Sequence, residues 1–249
     1  MAKINWQHWY ARWEQMQNCY VPHRVYRFEL MLKLANLARE AELKILDLGC
    51  GPGSLTFQAL RYYPRARVTA VDFDPVMVQM GQAMAQHKGV DDQVQFVEVD
   101  LRQTDWWAPY KGAFDLILSA TALHWLGKSS LTRVYQQAYR ALVPGGQFFN
   151  SDHIASDDAG VQARYRDLLH VNQQSAFHVV GADDWEQFWQ EIQQALGHTV
   201  DRSAEELWEG TDNGLPRQFH RATLRACGFT QVAFHWQELG EAIIGAQKA

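Results

Sequence analysis

The chain has 249 residues, 47% of them hydrophobic and 20% charged, enough apolar material for one large domain or a domain with a sizeable insertion. Its formal net charge of -5 leaves no overall basic surface for nucleic acid or an anionic membrane, so small molecules are the expected partners. There is no run of about 20 apolar residues and no signal-peptide pattern, and Cys19, Cys50 and Cys227 are too few and scattered for a disulfide framework or a metal site, so a soluble protein of the reducing cytoplasm is expected.

Residues 1–43 are rich in rings. Trp6, Trp9, Tyr10 and Trp13 recur at three- and four-residue spacing, which places them on one side of a helix, and a second helix is expected over residues 22–43. Aromatic stripes of this kind usually pack against a sheet.

Residues 45–48 form a short apolar run between a charge and glycines, the pattern of a buried strand that enters a turn, and residues 54–63 then read as a helix. Glycine at such a turn permits positive φ and lets backbone approach a ligand. The spacing is not the G-x-G-x-x-G that seats a pyrophosphate on a helix N-terminus, and the carboxylate of Asp47 would repel phosphate. An acid there suits a ligand that brings a cation.

The sequence Asp47-Leu48-Gly49-Cys50-Gly51-Pro52-Gly53 resembles the first motif of the class I S-adenosylmethionine-dependent methyltransferases. Their donor carries a sulfonium and an ammonium group. The resemblance implies S-adenosylmethionine as cofactor, S-adenosylhomocysteine as product, and Asp47, Gly49, Cys50 and Gly51 as part of the cofactor site. It also offers a role for the N-terminal segment, since methyltransferases of this class often carry helices there that cover the substrate.

A second strand over residues 67–72 ends at Asp72, roughly 20 residues past the last glycine, where open α/β sheets place the acid that grips ribose hydroxyls. Phe73 follows it, and Asp74-Pro75 reads as N-cap and first position of a helix to about residue 87. A third strand over 94–99 leads to Asp100 and Leu101, which the resemblance assigns to the adenine ring, the acid to its amino group and the next backbone N–H to the ring. Asp47, Asp72 and Asp100 thus stand at the carboxyl ends of three expected strands, where ligands bind in such sheets.

The fourth strand, 114–119, is followed by Ser119-Ala120-Thr121-Ala122. Family members that methylate amino groups of DNA bases carry Asn or Asp-Pro-Pro-aromatic here, so a base or a glutamine side chain is disfavoured as acceptor, and Ser119 joins the cofactor residues. Leu123-His124-Trp125 resembles the His-Trp or Gln-Trp pair of small-molecule carboxyl methyltransferases of the trans-aconitate and juvenile hormone acid kind, in which the pair helps hold the carboxylate. His124 and Trp125 are therefore either substrate-facing catalytic residues or, respectively, a satisfied structural histidine and a core indole.

Ser129 and Ser130 are candidate caps of a helix over 131–142, which Val143-Pro144-Gly145-Gly146 stops, and a fifth strand runs to about residue 150. Asp152 and His153 lie beyond it at the edge of the expected cleft, where His153 is either a general base or a polar loop end. Residues 156–213 change to helices without strands: one over 161–177, one capped by Asp183 and Asp184 that contains Trp185, Phe188, Trp189, Ile192 and Leu196, and a short piece around Trp208. A last helix over 216–227 and paired strands over 231–236 and 242–247 close the chain.

The fold class expected from these elements and the resemblance is α/β, a doubly wound, seven-stranded, mostly parallel Rossmann-like sheet with an antiparallel last strand, N-terminal helices and a helical insertion after strand five. The organisation follows as an N-terminal lid (1–43), a cofactor-binding core (44–155), a substrate cap (156–213) and a closing helix and hairpin (214–249). The implied function is methyl transfer to a small-molecule acceptor, on the oxygen of a carboxylate or hydroxyl. Transfer to nitrogen or carbon, a non-catalytic S-adenosylmethionine-binding protein and a nicotinamide oxidoreductase are the alternatives; the oligomeric state is not legible.

Overall fold

The computed structural model describes residues 4–197 and 214–249; the expected short piece around Trp208 lies outside the described residues. Its centre is a seven-stranded sheet of β1 (Lys44–Leu48), β2 (Arg67–Asp72), β3 (Val94–Glu98), β4 (Phe114–Ala120), β5 (Leu142–His153), β6 (Phe229–Glu238) and β7 (Glu241–Lys248). The order is β3-β2-β1-β4-β5-β7-β6, with β7 antiparallel to both neighbours and β1 to β5 parallel. This is the expected sheet. Strand order reverses between β1 and β4, so a crevice opens beyond their carboxyl ends.

Side-chain alternation decides what each face receives. Leu46 and Leu48 pack with Ile117 and Phe148 against one layer, which includes Leu131, Val134 and Tyr135 of α5 (Lys128–Ala141) and Leu224 of α8 (Arg217–Ala226). Ile45 and Leu118 pack on the other face against Phe28, Met31 and Leu32 of α2 (Arg24–Ala35) and Leu55 and Ala59 of α3 (Ser54–Tyr62). Asp47 shares parity with Ile45 and so points toward α3. A third cluster lies beyond the sheet, where Trp9, Trp13 and Met16 of α1 (Trp6–Tyr20) meet Met77 and Met80 of α4 (Pro75–Lys88) and Phe188 and Trp189 of α7 (Trp185–Leu196). Between β5 and α7 runs α6 (Ala159–Val180), capped by the Asp158 side chain.

Several boundaries differ from expectation for local reasons. Helix α2 ends at Ala35 rather than at residue 43, because Asn36 turns left-handed (φ 48°) and its N–H closes the turn on Lys33. Gly127, not Ser129 or Ser130, stands at the N-cap of α5; the helix starts at Lys128, which leaves both serines inside its first turn. Strand β5 does not wait for Gly146 but begins at Leu142, with a register shift against β4, and it runs to His153 rather than 150. Asp152 and His153 are therefore strand residues held on β7, opposite Ala242 and Glu241. Asp184 caps α7 as expected, while Asp183 pairs with Arg12 instead.

The last strands enclose a buried ion pair. Arg27 of α2 donates through Nε to Ser151 Oγ at 2.7 Å and through Nη1 to Glu241, and both charged side chains are 1% exposed. Breaking one partner of such a pair leaves a buried charge uncompensated. Arg27→Met is expected to lower unfolding free energy by about 3 kcal/mol or more, read as a fall in the urea midpoint.

Candidate active site

One cleft opens at the carboxyl ends of β1 to β4, with about 1120 Å³ of space counting its solvent-open mouth. Its floor is the turn after β1. The Gly49 and Cys50 N–H groups both donate to the Val71 carbonyl, at 2.8 and 3.0 Å, so the end of β2 pins the turn. Gly49 has φ +66°, and a Cβ there would lie 2.4 Å from that of Ala122, which is why the turn can sit directly beneath the loop after β4. In that loop Thr121 takes φ +51°, costly for a β-branched residue, and its N–H is held by the Ser151 carbonyl at 2.9 Å.

The acids define the electrostatics. Asp47 is 1% exposed and accepts from Thr56 Oγ1 at 2.6 Å; burial pushes its carboxyl up to about 7, opposed by that hydrogen bond. Asp72 accepts the Gly51 N–H at 2.7 Å and the Asp74 N–H at 3.0 Å, and burial still carries it to about 6. Asp100 differs. Burial would raise it, but Arg102 bonds its carboxylate through Nε and Nη2 at 2.8 to 3.1 Å and holds it below the usual range. Asp74 caps α4 by accepting from the Val76 and Met77 N–H groups.

Of the residues singled out in the sequence, Asp47, Gly49, Cys50, Gly51, Asp72, Phe73, Asp100, Leu101 and Trp125 all line this cleft. Ser119 lies within the sheet, where its hydroxyl donates to the Leu48 carbonyl at 2.8 Å. His124 and His153 pack against each other behind the cleft wall, ring centroids 4.5 Å apart. His124 Nδ1 meets Asp152 at 2.7 Å, and burial holds its imidazole below the ordinary range despite that carboxylate. His153 Nδ1 bonds Glu241; burial would lower this imidazole, yet the Glu241 charge wins and raises it. Glu241 is driven to about 2, the charges of His153 and Arg27 outweighing its burial. Asp152 Oδ2 also accepts the Leu123 and His124 N–H groups at 2.9 and 3.1 Å, which fixes the turn that carries Trp125 into the cleft.

The roof comes from outside the sheet. Trp13 of α1 and Trp185 and Trp189 of α7 line the cleft, and Arg12 ties the two helices together by donating to Asp183 at 2.6 Å and to Glu191 at 2.8 Å. The spacing of these indoles signals amphipathic helices but not which pocket they face. Arg24, 6% exposed on α2, also lines the cleft and bonds Glu14 through both Nη atoms, at 3.0 and 3.3 Å. No sequence motif marks it. The fold alone brings it there.

The protein family described as "Methyltransferase domain" matches residues 45–146. The trans-aconitate 2-methyltransferase of Escherichia coli is 37% identical over 93 residues, which are 37% of this chain and 33% of that protein. That of Paracidovorax citrulli is 30% identical over 147 residues, 55% of this chain and 52% of its own length. The chain thus spans about a third to a half of the curated relatives it matches. Among solved structures, an O-methyltransferase family protein from Burkholderia thailandensis superposes with TM-score 0.61 at 18% identity, over 89% of this chain and 56% of that one. A geranyl diphosphate methyltransferase in complex with S-adenosylmethionine gives 0.60 at 12% identity, over 90% and 85%. The fold is the one seen in solved S-adenosylmethionine-dependent methyltransferases, and residues 45–146 match a methyltransferase-domain family.

Asp47 ionises in the folded protein near 7 and in the unfolded chain near about 4, so its buried charge costs nothing below the lower value and its full amount above the upper. Asp47→Asn is accordingly expected to gain stability relative to the parent as pH rises from about 4 to about 7, and to show no such gain on the acid side. Chemical denaturation of both proteins across that range checks it.

Proposed function

With a methyltransferase domain of this fold as premise, we propose that the cleft binds S-adenosylmethionine and that the protein methylates an oxygen of a small-molecule acceptor, most simply a carboxylate. The observation that carries the reading is the pair Asp47 and Asp72, buried around a glycine turn with hydroxyl and backbone N–H partners. Their burial makes negative charge costly, and a cationic ligand offsets that cost. The donor set therefore fits a sulfonium and ammonium carrier and not a dinucleotide pyrophosphate.

In this reading Asp72 holds the ribose hydroxyls, Asp100 and the Leu101 N–H face the adenine beside Phe73, and the backbone from Gly49 to Gly51 meets the amino-acid end. Arg102 keeps Asp100 ionised and fixed for this task. S-adenosylmethionine supplies an electrophilic methyl group whose transfer needs the acceptor in line behind it. The chain's own contribution is to position and to exclude water: the glycine turn and acids fix one reactant, and Trp125 with the indoles of α1 and α7 confine the other in a site of low polarity. In this scheme the N-terminal segment serves as the lid and α6 and α7 as part of the substrate cap.

Trp125 is the residue assigned to touch the acceptor. Among the described residues no imidazole lines the cleft, and this favours an acceptor that arrives already deprotonated, since a carboxylate needs no base whereas an alcohol does. His124 is assigned as a positioning residue, acting through Asp152 on the turn that presents Trp125, with the His153 ring packed against it.

Two measurements test the reading. Asp72→Ala is expected to weaken S-adenosylhomocysteine binding by about 1–3 kcal/mol in calorimetry, and unchanged affinity would remove Asp72 from the site. Because Asp47 and Asp72 ionise near 7 and 6, affinity for S-adenosylmethionine should hold constant above about pH 8 and fall as pH drops toward about 5. A flat profile would show that neither acid faces the cation.

A further inference from the structure

The cleft's charge count and its roof say what kind of acceptor it can take. Four carboxylates line it, those of Asp47, Asp72, Asp74 and Asp100. Among the described lining residues the cationic side chains are Arg24 and Arg102, and each already serves an acid: Arg102 is locked on Asp100, and Arg24 on Glu14. Glu14 is held in turn by the hydroxyl of Ser54. A polycarboxylate seated here would face further acids with at most one cation to turn to.

Arg24 carries a second observation. Its side chain is more than nine-tenths buried, its guanidinium lies 5.0 Å from the centre of the Phe28 ring, and among the described residues its Nε–H has no hydrogen-bond partner. A buried donor left unmade is unusual and costly, and a carboxylate is the acceptor a guanidinium matches best. Beside the polar Gln17, Ser54 and Thr121, the lining includes four indoles, those of Trp13, Trp125, Trp185 and Trp189. Such walls select planar apolar bodies through contact area and stacking.

We infer that the acceptor is a planar, largely apolar molecule with a single carboxylate, its ring system against the indoles of α1 and α7 and its anion served by Arg24, and not a tricarboxylate of the kind named in the curated relatives. The inference rests on the reading of the cleft as a methyl-transfer site. On this view the closing helices, and not the sheet, set specificity. The buried ion pair with Glu14 keeps the guanidinium aligned, with its Nε–H unpaired among the described residues.

The test uses the full chain loaded with S-adenosylhomocysteine and three probes: indole-3-acetate, cinnamate and trans-aconitate. Binding is read from quenching of tryptophan fluorescence, and turnover from S-adenosylhomocysteine release with S-adenosylmethionine as donor. At least one of the planar monoacids should bind and turn over at least tenfold better than trans-aconitate. Arg24→Lys, which keeps a cation beside Glu14 but loses the guanidinium Nε–H, and Trp185→Ala should each raise KM for that acid at least tenfold. The Kd for S-adenosylhomocysteine should stay within about twofold, which also reports that the variants are folded.

Preference for trans-aconitate, absence of binding by both monoacids to the loaded protein, or an unchanged KM in Arg24→Lys would overturn the proposal and leave the methyl-transfer reading standing. Failure of the parent protein to bind S-adenosylhomocysteine at all would instead sink that reading, and this inference with it.

Discussion

Two carboxylates buried at the ends of adjacent parallel strands are the constraint around which the rest is arranged. Asp47 and Asp72 sit where water is scarce, and their partners are a threonine hydroxyl and backbone N–H groups. Such partners steady a carboxylate without cancelling its charge, so both acids ionise with difficulty. A fold selected for stability alone would pair them with cations or replace them. Held as they are, they bias the cleft toward a positively charged ligand, and they also brace its floor, since Asp72 ties the glycine turn of β1 to the start of α4.

The sheet provides this floor at one end only. Among the described residues, the helices that close over it besides the Trp125 turn lie outside the β1 to β5 core: α1 before the first strand, α2 with Arg24, and α7 after the fifth strand. The tie of Arg12 to Asp183 and Glu191, together with the packing of Trp9 and Trp13 on Phe188, joins two elements about 170 residues apart in the chain into one wall. The β1 to β5 core forms the floor of the cleft, and the helices outside it form the facing wall. The family match over residues 45–146 falls within the core side of that division.

A second buried network lies behind the cleft wall. Asp152 on β5 gathers two backbone N–H groups and the ring of His124, while Glu241 on β7 holds His153 and Arg27. The two histidines touch, and the antiparallel pairing of β5 with β7 brings their acids side by side. Opposite shifts follow from local balance: at His124 burial prevails over its acid, at His153 the acid prevails over burial. The network's visible consequence is positional, since it anchors the strained turn at Thr121 and the indole of Trp125 that the turn delivers.

The sheet, the glycine turn and the acids at the strand ends are all legible in the chain itself. These are local patterns: alternation, apolar runs and punctuation by glycine and proline specify strands one at a time, and the crossover rule then places Asp47, Asp72 and Asp100 along one rim. The sequence also marked Trp13, Trp185 and Trp189 as helical stripes, without saying that they face one space. The rest depends on contacts between residues distant in the chain. His124 and His153 each carry a reactive and a structural reading in the sequence; in the fold His124 lies in the turn after β4 and His153 on β5, and neither is among the residues that line the cleft. Arg24 belonged to no motif and entered the site because α2 packs across the sheet with Glu14 of α1 beside it. A periodic pattern tells which side of an element is buried, but what that side meets is set by packing among elements remote in the chain, and so are partners, charge states and the direction of a side chain toward or away from the ligand.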